Sequence, residues 1–124
     1  MKNSLEELVS EFLVYMEVEK NSSILTIRNY RIYLKRFTDI IAKNKGEEFA
    51  IEKIDLKVIR DYRLFLNRYI DLRGLPLKKT TQSYYVISLR SFFKWLVKND
   101  YKVLAPEKID IPKAEAKSLK FLNV

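Results

Sequence analysis

The stretch TTQSYYVISLRSFFKWLVK, residues 80–98, decides the fold class of this chain. Large apolar side chains recur in it at steps of three and four, the spacing of one buried helix face. These residues are Tyr85, Leu89, Phe92, Phe93 and Leu96. Another face of the same stretch carries Ser83, Arg90 and Lys94. The stretch therefore predicts an amphipathic helix with an aromatic inner face and a polar, basic outer face.

The same period predicts three helices upstream of this one. The first runs over residues 5–19, with Ser4 as its N-cap and Glu7 completing a capping box. The second begins between residues 23 and 26 and runs to about Lys43, with Gly46 as a plausible stop. The third is capped by Asp55 and runs to about residue 70, and the fourth begins near Thr80 or Thr81.

These elements predict an all-α fold, a four-helix bundle with short connections and almost no strand. The bundle is expected to occupy residues 1–104. Residues 105–124 contain Pro106 and Pro112, which make a long helix unfavourable there and indicate an extended linker. Tyr30, Phe37, Phe92 and Trp95 are expected to pack in the core or at an interface.

Composition excludes several classes of function for this chain. Its 124 residues suit one domain, and they include no His, no Cys and only two Gly. A Ser-His-Asp triad, a His-ligated metal site, thiolate catalysis and glycine-rich phosphate loops are therefore all impossible or absent. No apolar run is long enough for a membrane span. We expect a non-enzymatic, cytoplasmic chain that needs no cofactor or metal.

The net charge of +8 is concentrated in two segments. Residues 24–45 hold six basic residues and one acidic residue, and residues 78–104 hold the same numbers, so each segment carries +5. The rest of the chain is slightly negative. Two basic segments that met on one face would form a patch able to bind phosphates and release counterions. We call residues 24–45 and 78–104 the basic segments.

Two motifs carry a resemblance to a known family. Residues 23–31 read SILTIRNYR and are followed by Leu34 and Phe37, while residues 89–96 read LRSFFKWL. In these motifs the chain resembles the N-terminal core-binding domain of tyrosine recombinases, the Xer-type and phage-integrase group. The resemblance spans about residues 4–122. It implies a SAM-like bundle followed by a linker toward a catalytic domain that this chain does not contain.

The exit from the bundle resembles the family as well, with two departures. Pro106, Ile109 and Pro112 follow the family's exit pattern. Ala105 stands where the family usually has Asn, and Lys120 stands near a frequent Pro. Both departures lie in the predicted linker, so they leave the resemblance of the bundle intact.

The resemblance implies a DNA-binding domain. In the family, the second and fourth helices cross duplex DNA and enter adjacent major grooves of a half-site, and these helices correspond to the two basic segments here. Protomers assemble as a tetramer on DNA, and a tyrosine nucleophile in the catalytic domain forms a phosphotyrosyl link. None of that catalytic machinery maps onto this chain. The implied location is the cytoplasm, in association with the nucleoid.

Twelve residues are candidate DNA contacts. They are Thr26, Arg28, Arg31 and Lys35 in the first basic segment, and Lys78, Lys79, Thr80, Thr81, Gln82, Ser83, Arg90 and Lys94 in the second. Their cations, hydroxyls and amide suit phosphate oxygens or base edges. Each also has an ordinary structural interpretation: Thr26 as a helix-start residue, Arg90 as the partner of an acidic side chain, and the remainder as a solvated face.

Two other functions stay open at this point. A helical protein-interaction module would use exposed apolar residues such as Leu64 and Ile87 as its partner surface. A stand-alone DNA-binding regulator would bind DNA without recombinase activity. A helix-turn-helix repressor is less well supported, since no two short helices are joined by a three- to four-residue turn. The acidic first helix is expected to face solvent or another protomer.

Overall fold

The structure is a computed structural model that describes residues 4–111. It contains four α-helices: α1 (Leu5–Val18), α2 (Ile24–Lys45), α3 (Leu56–Arg68) and α4 (Lys79–Lys98). Short 3₁₀ turns follow α2 at Ile51–Lys53 and α4 at Pro106–Lys108. Within residues 4–111 the only extended pairing is one isolated bridge between Ile70 and Pro76. The predicted all-α, four-helix fold is confirmed.

Side-chain hydrogen bonds cap the N-termini of three of the four helices. The sequence predicts two of these caps, Ser4 and Asp55. Ser4 and Glu7 form a complete capping box on α1. The Ser23 hydroxyl caps α2, and the Asp55 carboxylate accepts the Val58 N–H at 3.0 Å to begin α3. Each cap satisfies a backbone N–H that has no partner inside the helix. Helix α4 differs, since Lys78 stands at its N-cap and supplies no side-chain cap.

Helix α4 is the centre of the bundle, and aromatic rings make its main contacts. The Phe92 ring is fully buried, with its centroid 5.5 Å from that of Phe12 on α1 and 6.0 Å from that of Phe93. Trp95 lies 5.7 Å from Phe12, which extends the cluster toward the end of α4. Rings at these separations add favourable pair interactions to the area they bury. The aromatic stretch at residues 80–98 therefore holds α1 against α4.

Helix α2 packs along α4 in the antiparallel sense. Tyr33 in the middle of α2 lies 4.7 Å from Tyr85 near the start of α4, centroid to centroid. Tyr30, one turn earlier in α2, lines a cleft together with Ser91 and Trp95 in the second half of α4. The fold thus places the helices of the two basic segments side by side.

The chain after α4 stays on the bundle beyond residue 104, although the predicted linker begins at residue 105. Ile109 is only 1% exposed and belongs to the core. The Arg63 guanidinium donates to the Asp110 carbonyl at 2.8 Å, and that of Arg90 donates to the Pro106 carbonyl at 3.2 Å. Buried apolar area and these two bonds hold residues 105–111 on the bundle. The rest of the predicted linker lies outside the described residues.

Helix α3 ends two residues before its predicted limit. The chain turns at Tyr69 and forms a short loop in which the Asp71 carboxylate accepts the backbone N–H groups of Arg73 and Leu75, at 2.8 and 3.0 Å. These bonds hold the pKa of Asp71 below its usual value of 3.8. Tyr69, the first residue after α3, is half-buried.

The part of the chain that the structure describes has no helix long and apolar enough to cross a membrane.

Candidate nucleic-acid interface

The outer face of α2 carries the candidate cations of the first basic segment. Arg28, Arg31 and Lys35 recur at helical spacing, and all three are exposed. The Lys35 ammonium forms an exposed ion pair with Asp39, one turn later, at 3.0 Å. An exposed pair of this kind is worth only about 0–1 kcal/mol, so a phosphate can compete for the ammonium. This face can present three cations to a polyanion.

Thr26 lies in the first turn of α2, in line with its interpretation as a helix-start residue. Its backbone N–H donates to the Ser23 hydroxyl at 3.1 Å, and the two hydroxyls are 2.9 Å apart. The half-buried Thr26 side chain also lines the cleft between α2 and α4. The Ser23 hydroxyl is therefore the hydrogen-bond partner that the helix-start interpretation of Thr26 requires.

The start of α4 combines exposed cations with an uncapped helix end. Lys78 and Lys79 are exposed, and the Lys79 ammonium donates to the Asn67 side-chain oxygen at 2.7 Å. Thr80 and Thr81 are half-buried in the first turn. No side chain in residues 4–111 caps the first N–H groups of this helix. Such N–H groups, together with the positive end of the helix dipole, favour an anion.

Three candidate DNA contacts on α4 are either buried or already hydrogen-bonded to a backbone carbonyl of this chain. Ser83 is 1% exposed, and its hydroxyl is buried without a hydrogen-bond partner among the described residues. The expectation that Ser83 faces a DNA groove is therefore corrected, because the side chain does not reach the surface. The Gln82 amide donates to the Leu77 carbonyl at 3.1 Å. Arg90 bonds a backbone carbonyl, at Pro106, rather than an acidic side chain.

Lys94 lies on a solvent-exposed part of α4. It is exposed and lines the same cleft as Thr26. This cleft is the place where candidate residues of the two basic segments come together. The remaining candidates are distributed along the outer face of α2 and the first turn of α4.

Arg36 is a residue of this region that the sequence pattern missed. Its guanidinium carbon lies 4.4 Å from the centre of the Tyr69 ring and 5.4 Å from that of Tyr85. Contacts of this type attract a cation to an aromatic face. One guanidinium nitrogen of Arg36 is buried and has no hydrogen-bond partner within residues 4–111. Arg36 therefore positions α2 against α4 and against the loop that precedes α4.

The surrounding tyrosines are perturbed by burial. Desolvation raises the pKa of the Tyr33, Tyr62 and Tyr85 hydroxyls above the usual value of 10. The nearby Arg36 charge opposes this rise at Tyr62 and Tyr85 without cancelling it. These tyrosines stay neutral at physiological pH, so they add no negative charge to this face. Within the described ranges no cluster of acidic side chains could hold a metal ion.

Comparison with known proteins connects this arrangement to a family. Residues 9–100 match the family described as phage integrase, N-terminal SAM-like domain. The chain is also 35% identical over 97 residues to the tyrosine recombinase XerC of two Leptospira interrogans strains, covering 78% of this chain and 29% of the relative. The chain thus spans less than a third of the length of these curated relatives.

A solved structure has the same fold. It is the N-terminal domain of a phage integrase/site-specific recombinase from Haloarcula marismortui, with a TM-score of 0.70 and 19% sequence identity. The match covers 90% of this chain and 100% of that domain. The family match covers most of the chain, and its range includes residues 23–37 and 89–96. The chain therefore belongs to the phage integrase N-terminal SAM-like domain family.

Proposed function

We propose that this chain clamps duplex DNA at a recombination half-site, as the N-terminal DNA-binding domain of a site-specific tyrosine recombinase. The observation that carries the proposal is the side-by-side packing of α2 and α4, the helices that hold the two +5 segments. A polyanion lying across both helices would meet cations from each. The family membership supports the same conclusion.

The positions of the basic residues suit phosphate contacts at two places. Lys78 and Lys79 flank an uncapped helix start, a site suited to one phosphate. Arg28 and Arg31 are exposed on α2, where an arginine can reach a phosphate or the edge of a guanine. Most of the binding energy would then be electrostatic, independent of sequence and sensitive to salt.

We assign the chemistry of the intact recombinase to residues beyond this chain. The chain covers 29% of the relatives named tyrosine recombinase, and it has no His for the family's His-x-x-Arg motif. The resemblance implies a tyrosine nucleophile in a following catalytic domain and a tetramer assembled on two DNA sites. Such a protein would act in the cytoplasm, on the nucleoid.

Charge reversal on each helix tests the proposal. Arg31→Glu and Lys79→Glu should each weaken binding to all duplex sequences, and each should reduce the salt dependence of log K by about one unit. The matched control is Lys53→Glu, the same change at an exposed site outside both basic segments. Binding is measured by fluorescence anisotropy with a labelled duplex, and circular dichroism checks the helix content. Equal weakening by all three variants would show that only the net charge matters and would contradict the proposed interface.

The alternative of a protein-interaction module has weaker support in the structure. Leu64 is 45% exposed on α3, whereas Ile87 is half-buried on α4, so they do not form one large apolar face on a single helix. An absence of duplex binding at low salt would favour this alternative over the DNA-binding proposal.

A further inference from the structure

A cleft with an aromatic floor lies where the end of α1, the start of α2 and the second half of α4 meet. Its volume is about 610 Å³. Phe12, Met16 and Trp95 line it and are buried in the core, while Tyr15 and Tyr30 line it and are half-buried. A cleft of this size, with mostly apolar walls and a few polar groups, has the character of a ligand-binding site.

The polar groups of the cleft are cations and hydroxyls. Lys20, Lys94 and Lys98 line it, and all three are exposed. The Lys98 ammonium lies 5.1 Å from the centre of the Tyr15 ring. No carboxylate lines the cleft, and none of the three lysines forms an ion pair with a residue between 4 and 111. The cleft therefore has an electrostatic preference for an anion.

Duplex DNA does not match both properties of the cleft. The backbone of a duplex could pair with Lys94 and Lys98, but its bases are stacked inside and offer no large apolar group to the Trp95 floor. A peptide segment can supply both parts, because a bulky apolar side chain fills the floor while neighbouring carboxylates meet the lysines. Amphipathic segments commonly bind grooves of this kind through such anchors.

We propose that this cleft docks an acidic peptide segment of a partner protein. A leucine or aromatic anchor of that segment packs on Trp95 and Phe12, and its carboxylates pair with Lys20 and Lys98. The assignment rests on the aromatic floor and on the charge complementarity, and it does not depend on the proposed DNA binding. Lys94 and Thr26 are shared with the candidate DNA contacts, so the test uses Lys20 and Lys98.

Trp95 provides a direct readout, since it is the only tryptophan of the chain and lies in the cleft. The full chain is titrated with a synthetic 12-residue peptide that carries four Glu around a central Leu-Phe pair, and the Trp95 emission is recorded. A saturable change is expected. A peptide with Gln in place of each Glu is the control for charge, and it should bind at least about ten-fold more weakly.

The variant with Lys20→Glu and Lys98→Glu should weaken the acidic peptide by at least about ten-fold, since each exposed pair contributes up to roughly five-fold and reversal adds repulsion. Lys53→Glu, outside the cleft, should leave the peptide affinity unchanged.

Several results would overturn the docking proposal. They are the absence of a saturable change up to millimolar peptide, equal binding of the Gln peptide, and an emission shift that follows protein concentration alone, which would assign the cleft to a second copy.

Discussion

Replacing Ile109 by Ala tests whether the chain after α4 is part of the folded unit. Ile109 is 1% exposed, directly after the 3₁₀ turn at Pro106–Lys108, and bonds from Arg63 and Arg90 hold this segment in place. Truncating a buried Ile to Ala removes apolar contacts and leaves a cavity, at a cost of about 2–5 kcal/mol. An extended linker would make the same substitution almost neutral, because its side chain would be solvated in both states.

Urea unfolding followed by Trp95 fluorescence measures this difference. The control is Ile70→Ala, the same chemical change at a residue that is 55% exposed, and its effect should stay within about 0.5 kcal/mol. Ile109→Ala should lower the free energy of unfolding by at least about 2 kcal/mol with an unchanged slope against urea. Equal stability of the two variants would refute the docked segment and restore the linker that the prolines indicate.

Two further predictions concern buried polar groups. Ser83→Ala should leave duplex affinity unchanged and should not lower the free energy of unfolding in urea, because the hydroxyl is buried without a partner among the described residues; a loss above about 1 kcal/mol, or weaker DNA binding, would contradict its placement. In an alkaline titration followed at 295 nm, three of the eight tyrosines should ionise above the usual value of 10, since burial raises their pKa values: Tyr33, Tyr62 and Tyr85. The contribution of these three tyrosines to stability is complete below pH 10 and is lost as the pH rises through the raised pKa values, so unfolding should accompany their ionisation. Ionisation of the three near pH 10 in the folded chain would be the contrary result.

The sequence predicted the local features of the fold well because they depend on neighbouring residues. The capping box of Ser4 and Glu7, the Asp55 cap and the stop at Gly46 all need only three or four residues of context, and the structure confirms each. The buried stripe of α4 likewise follows from helical period alone. Such features depend on local sequence and can be predicted without knowing how the helices pack.

Features that depend on tertiary packing were missed. Ser83 shares its helical phase with Arg90 and Lys94, so the pattern places it outside, yet packing buries it. Pro106 indicated a linker, but it begins a 3₁₀ turn, and Ile109 directly after that turn is buried in the core. Arg36 lies off the Arg28–Lys35 stripe, and its role comes from tyrosines on α4 and after α3 that only the folded chain brings near.

The salt dependence of duplex binding tests the central claim most directly. Affinity is measured by fluorescence anisotropy between about 50 and 200 mM salt, where each neutralised phosphate contributes roughly −0.9 to the slope of log K against log salt. Contact with about four to six phosphates through α2 and α4 predicts a slope of roughly −4 to −5. The double variant with Arg31→Glu and Lys79→Glu should show a slope shallower by about two. A flat response of the wild-type chain, or a slope that the double variant leaves unchanged, would contradict a DNA interface built from these two helices.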